Sequence, residues 1–309
     1  MTDGPESTRT VVIAFCANAA VAIAKSVAAA ITGSAAMLAE AAHSWADTGN
    51  EIFLLVADRR GRRPRDDQHP LGYGREAYVW SLFAGFGLFT VGAVVSIAHG
   101  VQSLREPETG GDFVINYLVL AAAFVLEGIS FVQALGQSRR LARGRGITVR
   151  RLVYRTSDPT LRAVFIEDLT ALIGLAVAAA CVFLHQLTGE SMYDAIGSIV
   201  VGALLAVVAV FLIQRNREFL IGEAVDPQWR EQALRLLADE PDVERVTYLH
   251  LEWVGPGRVF LIAAVDLTGN DDEAHLAARL RQLEDSLEQR PMVEDAVLTL
   301  SRPGAPSLV

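Results

Sequence analysis

"AEAAHSWADTGNEIFLLVADRRGRR", residues 39–63, sets Glu40, His43, Asp47 and Asn50 inside a stretch otherwise apolar enough to enter a bilayer, and then ends in arginines. Residues four apart share a helical face, so His43 and Asp47 stand about one turn from each other. An ionisable group at membrane depth costs at least ~2.5–3.5 kcal/mol on insertion scales, which makes it a functional candidate by default. The question this stretch poses is what such groups do there.

The rest of the chain fits a membrane setting. Its 309 residues are 51% hydrophobic and 20% charged, and its mean hydropathy is positive, a balance too apolar for an ordinary soluble domain. Six segments approach the roughly 20 apolar residues that a span needs: about 10–32, 35–57, 78–103, 113–137, 161–187 and 192–214. All are rich in Gly, Ala and Ser, which let helices approach closely where lipid offers no hydrophobic drive between them. Residues 1–9 are polar and mixed in charge, without the basic start and cleavage site of a secretory signal. They are expected to form a cytoplasmic tail ahead of a transmembrane domain over 10–220. Cys16 and Cys181 fall in apolar segments and form no CxxC pair, so neither a disulfide framework nor a zinc knuckle is supported.

Arginine placement orients the spans. The runs at 59–65, 139–155 and 215–217 fall on one side if the six spans alternate, while the other side offers little beyond Arg105. The positive-inside rule then makes both termini and the basic loops cytoplasmic. The same arginines suit anionic lipid headgroups. They hug membrane ends without aromatic interleaving, so no nucleic-acid partner is expected.

From about residue 221 the composition changes. Helical and strand-like periods alternate in an α-β-β-α-β order, with a Gly-Pro-Gly turn at 255–257 between the first two strands. This predicts a small α+β domain, ferredoxin-like, over 221–309. The overall fold class is thus an α-helical polytopic membrane protein with a cytoplasmic α+β domain. Excess Asp and Glu in that domain supply most of the net charge of −9, which suits either a solvated face or a surface that gathers cations.

Span 5 repeats the anomaly of span 2, with Glu167 and Asp168 at similar depth in "FIEDLTALIGL". An imidazole nitrogen with carboxylate oxygens is a tetrahedral set suited to Zn²⁺. The same residues are compatible with an interhelical hydrogen-bond pair that holds no metal.

"GSAAMLAEAAHSWADTGNEIFLL" (33–55), "RDDQHPLGYGREAYVWSL" (65–82), "EDLTALIGLAVA" (167–178) and "YDAIGSIVVGALL" (193–205) resemble, in order and spacing, the cation diffusion facilitator family, and the likeness extends through all six spans and the terminal domain. The resemblance implies a homodimeric, proton-coupled exporter of divalent cations, with a tetrahedral site between spans 2 and 5 and dimerisation through the terminal domain. Carried over by position, His43 and Asp47 match the span 2 ligands, and His at the first position favours zinc. Asp168 matches the second span 5 ligand, whereas the first falls on Val164. The adjacent Glu167 is then the source of the missing oxygen, or the site has three protein ligands and a water. Asp66 and His69 match part of an interfacial metal site whose second His is here Tyr73. His275 matches a His of the terminal domain's metal site, but its usual partners are Thr247 and Ala263 and His250 lies off register, so that domain is expected to hold little or no metal.

Other polar residues have assigned roles. Glu40, Asn50, Glu127 and Lys25 are candidates for proton handling or a polar network, with a Lys25–Glu40 ion pair as one form of it. Asp194 is expected to cap span 6, and His99 and His185 to sit near the outer ends of spans 3 and 5.

Metal binding requires neutral His43 and ionised carboxylates, so protons and metal compete for one site. That supports efflux of a transported divalent cation, Zn²⁺ first, by alternating-access antiport from the cytosol across the cell membrane, with no permanently bound cofactor. Mn²⁺, Fe²⁺, Co²⁺ and Cd²⁺ remain alternative cargoes, since selectivity depends on geometry, and a non-transporting metal sensor is the alternative class. GxxxxGK[ST] and HExxH are both absent, which disfavours a primary pump and a metallohydrolase. The chain is therefore not expected to be an enzyme.

Overall fold

A computed structural model describes residues 5–106 and 113–308, with side chains from residue 15 onward apart from residue 17. Of the tail expected over 1–9, residues 1–4 lie outside those described, and the first helix has already begun at Pro5.

Long helices carry the apolar segments. They are α1 (Pro5–Thr32), α2 (Ala35–Gly61) and a continuous helix made of α3 (Glu76–Gly87), a π-helical turn (Leu88–Val94) and α4 (Val95–Arg105). Then follow α5 (Phe113–Gly144), the short α6 (Val149–Arg155), α7 (Pro159–Thr188) and α8 (Met192–Leu220). Among the described residues, four helices, Glu76–Arg105, Phe113–Gly144, Pro159–Thr188 and Met192–Leu220, are long and apolar enough to cross a membrane on length and composition alone. In α1 the apolar stretch described runs over Asn18–Thr32. Helix α2 falls short because Glu40, His43, Ser44, Thr48 and Asn50 interrupt it, yet all five are buried.

The chain divides into two compact units, the first made of residues 1–56 and 80–216. Its core is built from small side chains. Ala28 and Ala29 of α1, Ala36 and Met37 of α2, Leu120 and Ala123 of α5, and Leu175 and Ala178 of α7 form one cluster. Ala39, Ala46, Leu88, Leu205 and Ala209 belong to another. Outward-facing Leu118, Val132 and Val207 are 67%, 66% and 69% exposed. Apolar residues on that face cost nothing in hydrocarbon, and a helix satisfies its own backbone there. Helix α7 is fixed at both ends: Asp158 accepts from the Thr160 and Leu161 N–H groups with Pro159 following it, and Gly189 closes the other end at φ 76°.

Asp194 corrects an expectation. Its carboxylate accepts from Ser34 Oγ at 2.9 Å and from the Ala35 N–H. It therefore caps the first turn of α2, a neighbouring helix, rather than its own helix α8.

The second unit takes in residues 57–79 together with 217–309, so the segment after α2 belongs with the terminal domain, which the sequence does not reveal. Helix α9 (Pro227–Ala238), β1 (Val243–Gly255), β2 (Arg258–Leu267), α10 (Glu273–Glu288) and β3 (Val293–Leu300) follow the expected α-β-β-α-β order. The sheet runs β1-β2-β3, with β1 and β2 antiparallel across the 255–257 turn. Strands β2 and β3 are parallel through the α10 crossover, as parallel strands require. Its core holds Leu237, Val246, Trp253, Leu261, Val265, Leu287 and Ala296. Tyr78 stacks on Phe219 at 5.0 Å, and Arg75 pairs with Glu252. A Cβ on Gly74 would stand 2.5 Å from the Val254 carbonyl oxygen, so this crossing accepts glycine alone.

Candidate cation site

On α2, residues 43, 47 and 51 follow at intervals of four, which puts His43, Asp47 and Glu51 on one face. His43 is 1% exposed. Its Nδ1 lies 3.4 Å from Asp47 Oδ2, within ion-pair range, but neither ring nitrogen makes a hydrogen bond. Asp47 Oδ1, Asn50 Oδ1 and Glu51 Oε2 are likewise buried without a donor. Buried acceptors normally find a donor, and a cluster of acceptor atoms without donors is the chemistry of a cation site.

Asp47 and Glu51 border a cavity of about 90 Å³, whose lining does not include His43 or Asn50. Asp47 and Glu51 reach it from α2, Glu127 and Ser130 from α5, Val164, Glu167 and Asp168 from α7, and Asn18 from α1. Neutral donors hold three of the carboxylates. Asn50 Nδ2 donates to Glu167 Oε1 at 2.9 Å, Ser130 Oγ to Asp168 Oδ2 at 2.8 Å, and Asn18 Nδ2 to Glu51 Oε1 at 2.6 Å. Glu167 and Asp168 are successive helical positions about 100° apart, and both border the cavity. They do so by leaning to opposite sides, Glu167 toward α2 and Asp168 toward α5. Val164, where the family resemblance would place a ligand, also lines the cavity and contributes no donor atom. Among the described residues, no group of three or more His, Cys, Asp or Glu side chains stands close enough to hold a metal as placed.

Lys25 and Glu40 form a separate buried pair, Nζ to Oε2 at 3.0 Å with both side chains 0% exposed. Room for it comes from α7, where a Cβ on Gly174 would fall 2.6 Å from Glu40 Oε1.

Outside the spans, Asp66 and His69 are together on an exposed loop but occupied locally. Asp66 accepts from Tyr73 OH at 2.7 Å and from the His69 and Gln68 N–H groups, and His69 Nδ1 is 3.3 Å away. The Tyr73 hydroxyl, followed by the His69 contacts, holds the Asp66 carboxyl below its ordinary range. In the terminal domain, His275 lies against Asp272, the N-cap of α10. Thr247 bonds with Ser301, and Ala263 is in the core. His185 packs edge-on against Phe113, and His99 Nδ1 lies 3.5 Å from Ser103 Oγ.

Glu51, Asn18 and Ser130 were missed in the sequence. For Glu51 the signal was present, since it extends the His43, Asp47 interval by one more turn. Asn18 and Ser130 carry no pattern that separates them from the other small polar residues of their spans.

Fold and cavity together define an integral membrane protein with an acidic chamber buried among its helices. The cation efflux transmembrane domain matches residues 11–221, and the chain belongs to that family, the cation diffusion facilitators, which are membrane transporters rather than enzymes. The chain is similar to metal tolerance protein C4 of Arabidopsis thaliana, with 39% identity over 233 residues, 75% of this chain and 51% of that protein. It is also similar to the mitochondrial proton-coupled zinc antiporter SLC30A9 of Homo sapiens, with 34% identity over 261 residues, 84% of this chain and 46% of that protein. Zinc transporter ZitB of Escherichia coli is 24% identical over 295 residues, 94% of this chain and 87% of ZitB. The chain spans about half the length of the first two relatives.

Proposed function

We propose that this protein exports a divalent transition-metal cation, Zn²⁺ first, from the cytosol in exchange for protons, with His43, Asp47, Asp168 and Glu167 as the transport ligands. One observation carries the reading: on one face of α2, buried His43 and half-buried Asp47 hold buried polar atoms that meet no hydrogen-bond partner, and Asp47 shares a cavity with Glu167 and Asp168. The donor set of one imidazole and several carboxylates suits Zn²⁺. A cation entering the cavity replaces the amide of Asn50 and the hydroxyl of Ser130 as partner of the α7 carboxylates, drawing α2 and α7 together. That gives metal and proton a common site and a means of coupling occupancy to helix movement. The printed name of SLC30A9, a proton-coupled zinc antiporter, supports the same chemistry, as does that of ZitB for zinc.

The remaining assignments follow. The protein works as a homodimer held by its terminal domain. Both termini are cytosolic by the arginine distribution, and the cell membrane is its location. SLC30A9 is named as mitochondrial, which makes the membrane itself a matter for localisation by fractionation. Asp66 and His69 stay outside the transport site, since their contacts are local, with each other, Tyr73 and the Gln68 N–H. Purified protein in proteoliposomes tests the whole reading: Zn²⁺ accumulation driven by an imposed pH gradient is expected, and bound Zn²⁺ with no flux in either direction would leave a sensor instead.

A further inference from the structure

We propose that Glu51 is an additional cation ligand, one that receives the ion on the arginine-loop side of His43 and Asp47 and passes it one helical turn deeper. The proposal rests on the transport reading of the chamber and adds a residue to it.

The placement follows from helix geometry. Each interval of four along 43, 47 and 51 advances ~6 Å along the axis with little rotation. Glu51 thus repeats the position of Asp47 one turn nearer to Arg59 and Arg60, the basic end of α2. It borders the same cavity as Asp47, Glu127, Glu167 and Asp168.

Its head group is held in a particular way. Oε1 accepts from Asn18 Nδ2 at 2.6 Å, which fixes the carboxylate toward α1, while Oε2 is buried and meets no donor. An unmet buried anionic oxygen is costly, and Glu51, unlike Glu40, whose Oε1 is equally unmet beside Lys25, borders the cation cavity. One oxygen anchored and one left bare is the arrangement of a ligand oriented in advance.

Charge points the same way. Two carboxylates neutralise a divalent cation, yet five line this cavity. A single position beside Asp47 leaves carboxylates in excess, whereas two positions, one turn apart and filled in turn, give Glu51 an ion of its own. The same division gives the asparagine on α1 a purpose, since it orients Glu51 and touches no other member of the set in the hydrogen bonds described.

Initial rates of Zn²⁺ transport into proteoliposomes, measured against Zn²⁺ concentration, test the assignment. Glu51→Gln keeps an acceptor for Asn18 and loses the charge, so the KM for Zn²⁺ is expected to rise about tenfold with kcat falling far less. Glu51→Asp should recover part of that loss, and Asn18→Ala should raise KM by a smaller factor. An unchanged KM in Glu51→Gln overturns the proposal. Should that variant fail to fold, the wild type decides: anomalous diffraction from Cd²⁺-loaded crystals is expected to give one peak beside Asp47 and another ~6 Å away beside Glu51. A single peak at Asp47 overturns it. Asp47→Ala separates the two levels of the argument. If that variant transports normally, the transport site itself is wrong; if it is inert while Glu51→Gln is normal in KM, only the receiving ligand is lost.

Discussion

Lys25 Nζ lies 3.0 Å from Glu40 Oε2, and neither side chain is exposed at all. The pair joins α1 to α2, and Gly174 of α7 leaves the space its carboxylate needs. Removing one member of a buried pair strands the other as an uncompensated charge, at a cost of about 3–5 kcal/mol. Glu40→Gln and Lys25→Met should therefore each lower the thermal midpoint in detergent sharply, while the double variant Lys25→Met, Glu40→Met should recover most of the loss. Gly174→Ala should be destabilising by the same assay, since its methyl group meets Glu40 Oε1. A double variant no better than the worse single one would show that the charges serve something other than each other.

Asp47 faces the chamber with one oxygen unmet. Asp47→Ala is expected to abolish Zn²⁺ flux while the protein still inserts and dimerises, as read by cross-linking. His43→Asp should retain flux and shift selectivity toward harder or larger cations such as Mn²⁺ and Cd²⁺, because it exchanges a nitrogen donor for oxygen. Competition among the metals in a transport assay measures this shift directly.

The two carboxylates of α7 lean to different neighbours, Glu167 to Asn50 and Asp168 to Ser130. If both act on the ion, Glu167→Gln and Asp168→Asn should weaken Zn²⁺ binding by comparable factors, since each takes an anionic oxygen from a doubly charged ion in low dielectric. A chelator titration in which Asp168→Asn alone loses affinity would reduce Glu167 to a brace between α2 and α7.

The capping contact of Asp194 with Ser34 and Ala35 gives a prediction about folding. Replacing a capping carboxylate by alanine costs roughly 0.5–2 kcal/mol. Asp194→Ala should lose about that much stability. Ser34→Ala should also lose stability, because Ser34 Oγ donates to Asp194 and accepts from the Met37 N–H at 3.1 Å. Denaturant titration of both variants is the measurement, and an Asp194→Ala variant as stable as the wild type would contradict the capping role.

The expected elements were legible where their signal is local. Hydropathy and period located the six apolar segments and the α-β-β-α-β order, and the Gly-Pro-Gly turn fell between β1 and β2. Motif spacing singled out His43, Asp47, Glu167 and Asp168, and three of these, with Val164, border one cavity. What stayed hidden depends on partners remote in sequence. Asp194 sits 159 residues from the Ala35 N–H that it accepts, so position within its own helix pointed to the wrong cap. The grouping of residues 57–79 with the terminal domain rests on Tyr78 against Phe219 and Gly74 against Val254, which no local pattern announces. The π-helical turn at Leu88–Val94 also has no composition signal, although such turns favour functional regions. Glu51 continues the four-residue interval of His43 and Asp47, a pattern that is local to α2.

Coupling to protons is the prediction on which the transport reading depends most. If metal and proton share His43 and the carboxylates, Zn²⁺ loaded on one side of a vesicle should drive protons the opposite way, and an imposed pH gradient should drive Zn²⁺ uphill. The His43 imidazole is one group for which protons and metal can compete, since a ligand nitrogen must be deprotonated. Protonated, it carries a positive charge and no free lone pair for the metal, so acid should weaken Zn²⁺ binding and favour release. His43→Asn removes that proton carrier and keeps a polar side chain of similar reach. It should leave some downhill Zn²⁺ movement while lowering the number of protons exchanged per ion, measured by a pH-sensitive dye beside a zinc indicator in the same vesicles. Unchanged proton stoichiometry in His43→Asn would move the proton to the carboxylates. Wild-type Zn²⁺ flux with no proton movement at any pH between about 5 and 8, the physiological range, would replace antiport with facilitated diffusion.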